Sequence, residues 1–183
     1  YVTVYGSKLL LKLNSAGVEQ KRLSFSEADG APRYIAAEDE KLYVTLYSGK
    51  VAKIDANNLT IEGYANVGDN PEEIVEEDGF LYVVNSGWGT AIKYDSTLTV
   101  INRKDFTLSK TIEVAKNPFK VLESGNQIFV LAYGGAYPDY TYPVQKIDVA
   151  NEKATTITNA TNMCEYNGTI YLIYSETDWT TYE

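Results

Sequence analysis

The sequence contains no histidine and a single cysteine, Cys164. Without histidine the chain lacks the commonest general base and the commonest metal-ligating side chain of proteins. One cysteine forms neither an internal disulfide nor a paired-cysteine metal site. No run of 18 apolar residues occurs either, so the sequence gives no signal for a transmembrane segment. We therefore predict no metal site, no cofactor and no catalytic residue.

Positive charge is also scarce, because 16 basic residues stand against 25 acidic ones and give a net charge of −9. A surface of that sign repels phosphate backbones and anionic lipids, so nucleic acid and membrane surfaces are poor partners. Hydrophobic residues nevertheless make up 44% of the 183 residues, which suits one folded domain with a sizeable core.

A repeat of roughly 40 residues, the length of a propeller blade, runs through the chain. In each copy an apolar residue lies three positions after the start. A polar turn follows it, and a strongly apolar, aromatic segment comes next. The copies start at Pro32, Pro71, Pro118 and Ala160. Two further short strands around a polar turn follow each start, in residues 49–71, 96–118 and 142–160, and residues 8–25 are the same half of an earlier copy. The pattern predicts four strands per copy.

Side-chain alternation indicates how these strands pack. In residues 80–84, Phe80, Tyr82 and Val84 point to one face, and Leu81 and Val83 point to the other. Strands that are apolar on both faces need a layer on each side. No amphipathic helical stretch separates them, so the layers are other sheets. We predict an all-β fold, a β-propeller of four-stranded antiparallel blades.

The strand openings YVTV at 1–4, YVTL at 43–46 and YVVN at 82–85, with residues 99–121, resemble the YVTN family of β-propeller repeats. The resemblance implies a ring that is typically seven-bladed, an exported protein of the surface-layer-like kind, and no shared catalytic motif. No active-site residue therefore carries over. The chain departs from the pattern at Ala160, which stands in place of the junction proline.

Counting one aromatic position per copy predicts how much of a ring is present. That position is occupied by Tyr1, Tyr43, Tyr82, Phe129 and Tyr171. In a closed four-bladed ring the first and last of these strands would compete for one place, so we predict about four blades of a larger, seven-bladed ring. The predicted segments are a part-blade at 1–31, blades at 32–70, 71–117 and 118–159, and a part-blade at 160–183.

Long loops on a rigid scaffold commonly carry binding sites. In a propeller, the loops from second to third strand share a face with the junctions between blades, and here both are rich in aromatic and amide side chains. In NSGWG, two glycines flank Trp88 and free the backbone to present its indole. The ligand-binding candidates are Asn70, Asn85, Trp88, Tyr94, Asn117, Tyr133, Tyr137, Tyr140 and Trp179. The alternative is that these aromatic rings pack over adjacent blades.

Carboxylates and the thiol receive structural interpretations. Glu76, Glu77 and Asp78 fall in a polar turn that ends in the pair Asp78-Gly79. Such a pair is typical of a β-hairpin turn, so we predict a turn here rather than an acid–base cluster. Asp69, Glu72, Glu73 and Asp139 are enough oxygens for calcium, but no calcium-binding pattern accompanies them and we expect a solvated junction. Cys164 follows Met163 in an inner strand, which predicts a buried structural thiol.

These observations favour a non-catalytic, exported or surface-associated recognition module that binds a glycan, peptide or protein through its aromatic loop face. The alternative is an enzyme, such as a quinoprotein-like oxidoreductase or a lactonase, whose catalytic groups lie in further blades. The lack of histidine and of carboxylates clustered at the inner ends of several blades disfavours it. A third possibility, an intracellular interaction propeller, lacks the Gly-His and Trp-Asp pairs of WD repeats.

Overall fold

The structure is a computed structural model, and it describes residues 1–87 and 94–175. The described residues form 17 β-strands and no helix. Accordingly, this part of the chain holds no helix that could cross a membrane. The all-β prediction is confirmed.

The strands form five antiparallel sheets, which follow one another along the chain. The first sheet holds β1 (Val2–Val4), β2 (Leu9–Leu13) and β3 (Glu19–Ser24). The second holds β4 (Pro32–Glu38), β5 (Lys41–Leu46), β6 (Lys50–Asp55) and β7 (Ile61–Asn66). The third holds β8 (Pro71–Glu77), β9 (Phe80–Asn85), β10 (Thr97–Asn102) and β11 (Thr107–Glu113). The fourth holds β12 (Pro118–Glu123), β13 (Ile128–Ala132), β14 (Pro143–Asp148) and β15 (Lys153–Asn159), and the fifth holds β16 (Asn162–Tyr166) and β17 (Thr169–Ile173).

Each sheet is a simple meander, in which neighbouring strands are also neighbours in sequence. The first strands of the three four-stranded sheets, β4, β8 and β12, contact one another side by side. β1 contacts β4, and β12 contacts β16. The sheets therefore radiate from a common inner line, with β7, β11 and β15 at the outside.

The hydrophobic core lies between successive sheets as four separate clusters. Strand β9 contributes to two of them. Leu81 and Val83 pack in the cluster with Tyr43 of the preceding sheet. Tyr82 and Val84 pack in the cluster with residues of the following sheet. The predicted burial on both faces is confirmed for β5, β9 and β13, and it explains why their sequences are almost continuously apolar. It is not found for the equivalent strand β17, where Tyr171, Leu172 and Ile173 are exposed.

The acidic turn between β8 and β9 is a tight hairpin. Asp78 and Gly79 have φ angles of 49° and 79°, as a two-residue turn with two positive φ values requires. The carboxylate of Glu76 accepts the Gly79 N–H at 3.0 Å and lies 3.0 Å from Nε of Arg103, an ion pair without hydrogen-bond alignment. Arg103 also donates to Asp39 at 2.6 Å. The hairpin interpretation of this turn is confirmed, and Glu76 has a further role that was not predicted, because Arg103 joins its carboxylate to that of Asp39 in the neighbouring sheet.

One backbone hydrogen bond recurs at the outer edge of the sheets and identifies equivalent residues. In each of the first four sheets, the residue after the outermost strand donates its backbone N–H to the carbonyl of the residue that precedes the neighbouring strand. The pairs are Phe25 to Lys8, Val67 to Gly49, Val114 to Ser96 and Ala160 to Tyr142, at 2.8–2.9 Å. Ala160 thus makes the same hydrogen bond as Val67 and Val114, while Met163 pairs with Leu172 as Ile74 pairs with Val83, so Ala160 also keeps the predicted spacing to the inner strand. Its junction is shorter, because β16 begins only two residues later.

The prediction of a buried thiol is also wrong, because Cys164 is exposed. Met163 is buried in the cluster with Leu131 and Val144. Since successive side chains of a strand point to opposite faces, Cys164 points away from that cluster. Within the described residues, β16 and β17 form the last sheet, and no further sheet covers their other face.

Candidate functional site

A pocket of about 420 Å³ opens where the inner strands begin. We call it the axial pocket. Its volume falls within the range of about 300–1,000 Å³ that is typical of ligand sites. Its lining residues are Tyr5, Arg33, Tyr34, Tyr47, Glu72, Ser86, Asn117, Phe119, Tyr133 and Tyr140.

Seven of the ten lining residues come from two repeated positions of the fold. One position directly follows a junction proline and carries Arg33, Glu72 and Phe119. The other directly follows β1, β5, β9 and β13, which are equivalent strands of the repeat, and carries Tyr5, Tyr47, Ser86 and Tyr133. Backbone hydrogen bonds hold the two positions at one level. They run from Tyr47 to Ala31, from Ser86 to Asn70 and from Tyr133 to Asn117, at 2.9–3.1 Å.

A buried ion pair forms one side of the axial pocket. Arg33 donates from Nε and Nη2 to Oε2 of Glu72, at 3.0 and 2.7 Å. The Tyr47 hydroxyl donates to the other carboxylate oxygen, and Ser86 Oγ lies 3.4 Å from it. Glu72 is only 6% exposed, so the prediction of a solvated junction carboxylate is wrong at this residue. The residue after Pro71 points inward, and burial of its charge requires the partners found here.

Tyrosine rings enclose the guanidinium group of Arg33. Its central carbon lies 4.8 Å from the ring centre of Tyr47, 5.4 Å from that of Tyr5 and 5.8 Å from that of Tyr34. Cations over aromatic faces are stabilised by the ring quadrupole. Burial alone would lower the pKa of Arg33, but the bond to Glu72 and its charge leave that pKa raised. Burial, followed by the hydrogen bond to Glu72, raises the pKa of Tyr47. The pocket therefore keeps a cationic Arg33 beside a neutral phenol at neutral pH.

The opposite side of the pocket is a wall of aromatic rings. Phe119 and Tyr133 lie 4.4 Å apart between ring centres, and Tyr133 and Tyr140 lie 4.8 Å apart. Tyr140 belongs to the long loop between β13 and β14 and contacts Tyr137 at 6.1 Å. Burial raises the pKa of Tyr133, so its hydroxyl stays protonated at neutral pH. Such rings offer flat apolar faces with polar tips.

Asn117 lies in the pocket lining with an unsatisfied carboxamide. The residue is 1% exposed, and its backbone N–H donates to Asp95 at 2.8 Å. Within residues 1–87 and 94–175, neither Nδ2 nor Oδ1 of its side chain has a hydrogen-bond partner. Leaving a buried polar group unpaired costs about 1–3 kcal/mol. Asn117 thus places a buried polar group without a partner among the described residues in the lining of the axial pocket.

The structure brings three of the predicted site residues together in this pocket: Asn117, Tyr133 and Tyr140. Tyr137 stands at its rim, 73% exposed, against Tyr140. Tyr94 lies elsewhere, in a small cleft with Asp69, and Lys116 Nζ sits 5.4 Å from its ring centre. Within the described residues, the predicted aromatic side chains thus line two different depressions of the surface.

The two remaining predicted asparagines have structural roles. Asn85 is fully buried, and its Nδ2 donates to Oγ1 of Thr97 and Thr99, both at 2.9 Å. Asn70 has a φ of 48°, a left-handed conformation that asparagine tolerates well, and its carbonyl accepts hydrogen bonds from Ser86. Trp88 and Trp179 lie outside the described residues.

Most of the axial pocket was not predicted from the sequence. The aromatic and amide count of the long loops pointed to Tyr133 and Tyr140 but not to Arg33, Glu72 or Tyr47. A signal was present, because the position after the junction proline changes from Arg33 to Glu72 to Phe119 while the surrounding repeat stays the same. Irregularity within a regular repeat would have identified it.

Comparisons with solved structures find propeller folds. The chain is similar to Kuenenia stuttgartiensis hydrazine synthase, with a TM-score of 0.66 and 19% identity over 82% of this chain. It is also similar to the Neurospora crassa Pan2 WD40 domain (TM-score 0.65, 13% identity, 82% of this chain). A third is the computationally designed Ika4 protein, with a TM-score of 0.60 and 11% identity, covering 79% of this chain and 91% of Ika4.

The chain spans 43% of the hydrazine synthase chain and 46% of the Pan2 chain, less than half of each. Neither the comparison with protein-family models nor the comparison with curated proteins finds a match. At such identities the structural likeness concerns the fold alone. Together with the radiating sheets, it shows that this chain is a β-propeller scaffold with four-stranded antiparallel blades.

Proposed function

We propose that this propeller is a non-catalytic recognition module that binds a glycan in the axial pocket. The observation that carries the proposal is the carboxamide of Asn117, whose two polar atoms are buried and unpaired within the described residues, in a residue that lines the pocket. A carboxamide offers two donors and two acceptor sites. Neighbouring hydroxyls of a sugar present donors and acceptors at the spacing that such a group requires.

The aromatic wall supports a glycan over other ligands. Sugar rings have apolar C–H faces, which pack against aromatic rings while the hydroxyls at the edge form hydrogen bonds. Phe119, Tyr133 and Tyr140 supply such rings beside Asn117. Among the described residues that line the pocket, Glu72 is the only carboxylate, and it is paired with Arg33 rather than free to act as a base. A peptide ligand, the other class that suits tyrosine and amide groups, is an outcome of the test below.

The experiment compares two equivalent asparagines. Asn70 and Asn117 both precede a junction proline and both have positive φ, at 48° and 58°, so glycine fits either backbone. Only Asn117 lines the pocket. We expect Asn117→Gly to weaken binding to the best oligosaccharide of a glycan array about 30-fold, because two hydrogen bonds of about 1 kcal/mol each are lost. Asn70→Gly should bind as tightly as the parent protein.

Isothermal titration calorimetry measures the affinities, and urea unfolding confirms that both variants are folded. Equal weakening by the two substitutions would mean that the pocket is not the binding site. If no sugar on the array binds and a peptide from a library does, the ligand is a peptide and not a glycan.

We also propose that the chain belongs to a larger, exported ring of the YVTN type. Support comes from the YVTV, YVTL and YVVN strand openings and from the fact that the chain covers less than half of two propeller chains. Sequencing the gene on both sides of this segment tests the ring, and flanks without further copies of the repeat would refute it. Protease treatment of intact cells tests export, since an exported domain is cleaved while cytoplasmic proteins survive.

A further inference from the structure

We propose that the axial pocket contains a carboxylate subsite at the free edge of Arg33, so that the glycan it binds is an acidic sugar. The inference rests on the proposed function and narrows it. It starts from the hydrogen-bonding geometry of a guanidinium group, which carries five N–H donors and no acceptor. These donors present two edges that each match a planar carboxylate.

Glu72 occupies one of the two edges. Its Oε2 accepts from Nε and Nη2 of Arg33, which are the atoms of the side-on edge. The other edge, formed by Nη1 and the second N–H of Nη2, has no acceptor within hydrogen-bond distance among the described residues. The Arg33 side chain is 32% exposed and lines the pocket. The free edge is therefore available to a group that enters from the pocket.

Arg33 is also held in place before any ligand arrives. The ion pair with Glu72 fixes one edge, and the rings of Tyr5, Tyr34 and Tyr47 enclose its faces. A guanidinium fixed in this way loses little conformational freedom when it binds. The Tyr47 hydroxyl donates to Glu72 and so stabilises the carboxylate next to the site. The negative charge of Glu72 is thereby shared between two donors rather than directed at the ligand.

The two ends of the pocket differ in the chemistry that they accept. The free edge of Arg33 offers donors alone, so at that edge the ligand requires a group that only accepts, with two oxygens side by side. The Asn117 end offers both donors and acceptors, which suits hydroxyls. A sugar whose ring carries a carboxylate on one side and hydroxyls on the other satisfies both ends at once. A uronic acid has this arrangement.

The test uses an array on which each uronate-containing oligosaccharide is printed beside its own carboxyl methyl ester, with sulfated oligosaccharides as a further set. The ester keeps the ring and the hydroxyls but loses the charged bidentate acceptor. We expect the parent protein to bind a uronate at least tenfold more tightly than its ester. Arg33→Lys keeps a positive charge for Glu72 but lacks the planar fork, so the ratio of the affinity for the uronate to that for its ester should fall several-fold.

The outcomes separate this inference from the proposed function. Equal binding of acid and ester, or a preference for sulfated sugars, would overturn the carboxylate subsite and leave a glycan pocket. Binding of no sugar would refute the proposed function, and the subsite with it. If Arg33→Lys does not fold by urea unfolding, the double variant Arg33→Gln/Glu72→Gln replaces it, because it leaves no buried charge unpaired. A uronate preference that survives in that variant would also overturn the subsite.

Discussion

The core between the sheets and the axial pocket are built from the same repeat. The core keeps equivalent residues alike, whereas the pocket has different residues at equivalent positions. Between the sheets, equivalent positions keep the same kind of side chain, as in Val44, Val83 and Val130, each fully buried. In the pocket, one repeat position carries Arg33, Glu72 and Phe119 in successive copies. Packing between sheets rewards uniformity, because each sheet meets a neighbour of the same shape. A binding site requires different groups at equivalent places, so it is found where the repeat is broken.

The largest effect should come from the uniform region. Leu81 is fully buried between the second and third sheets, and we expect Leu81→Ala to lower the free energy of unfolding by about 2–5 kcal/mol through lost burial and a cavity. Leu108→Ala is the matched control, since Leu108 is 57% exposed and should change stability by less than about 0.5 kcal/mol. Urea unfolding measures both. Similar losses in the two variants would show that the core does not lie between the sheets.

A smaller effect is expected at the irregular positions. Arg33→Met leaves the buried carboxylate of Glu72 without its ion-pair partner, which should cost about 1–3 kcal/mol of unfolding free energy. Adding Glu72→Gln removes the unpaired charge and should recover part of that loss. A double variant that is less stable than Arg33→Met alone, by urea unfolding, would contradict this description of the pair.

Asn117 should show that the pocket is maintained at a cost to stability. Asn117→Gly removes an unsatisfied buried carboxamide and relieves a left-handed φ of 58°, so we expect it to raise the free energy of unfolding by about 1 kcal/mol. Asn70→Gly relieves a similar backbone conformation without removing a group from the pocket. The gain should therefore be larger for Asn117→Gly. A loss of stability would mean that the carboxamide is satisfied in solution.

The smallest effect lies in the outer turns, far from both regions. Backbone N–H groups of the turn, that of Asn58 first, and then Lys41 lower the pKa of Asp55, and hydrogen bonds from Asn151 lower the pKa of Asp148. A lowered folded pKa means that each carboxylate stabilises the fold above its unfolded pKa of about 3.9. That contribution is lost as the pH falls through the folded pKa.

Urea midpoints measured between about pH 5 and pH 2 check this expectation. The double variant Asp55→Asn/Asp148→Asn keeps acceptors in both turns but cannot titrate, so its midpoint should fall less on acidification than that of the parent protein. Identical acid profiles would assign the pH dependence to other carboxylates.

The fold could be read from the sequence because its signal is repeated. The alternation of apolar side chains in Leu81–Val84 recurs in every copy and predicts both faces of the sheet correctly. The site could not be read in the same way. Asn85 ends a strand, as a site residue would, yet its carboxamide is used inside the sheet by Thr97 and Thr99. Glu72 has the sequence context of a solvated junction, and only the position of Arg33 one blade away makes its burial possible.

The lining of the axial pocket comes from four successive sheets. Tyr5 directly follows a strand of the first sheet, Tyr47 of the second, Ser86 of the third and Tyr133 of the fourth. No sheet can form the pocket alone, so its shape reports the relative placement of all four. In a repeat protein each unit contacts only its neighbours, and order decays with distance along the array. A ligand seated in the pocket would couple the first sheet to the fourth, and saturation would stabilise their joint arrangement by RT ln(1 + [L]/Kd). Ligand binding in the pocket would thus couple the four sheets, so that sheets which otherwise unfold one at a time would unfold together.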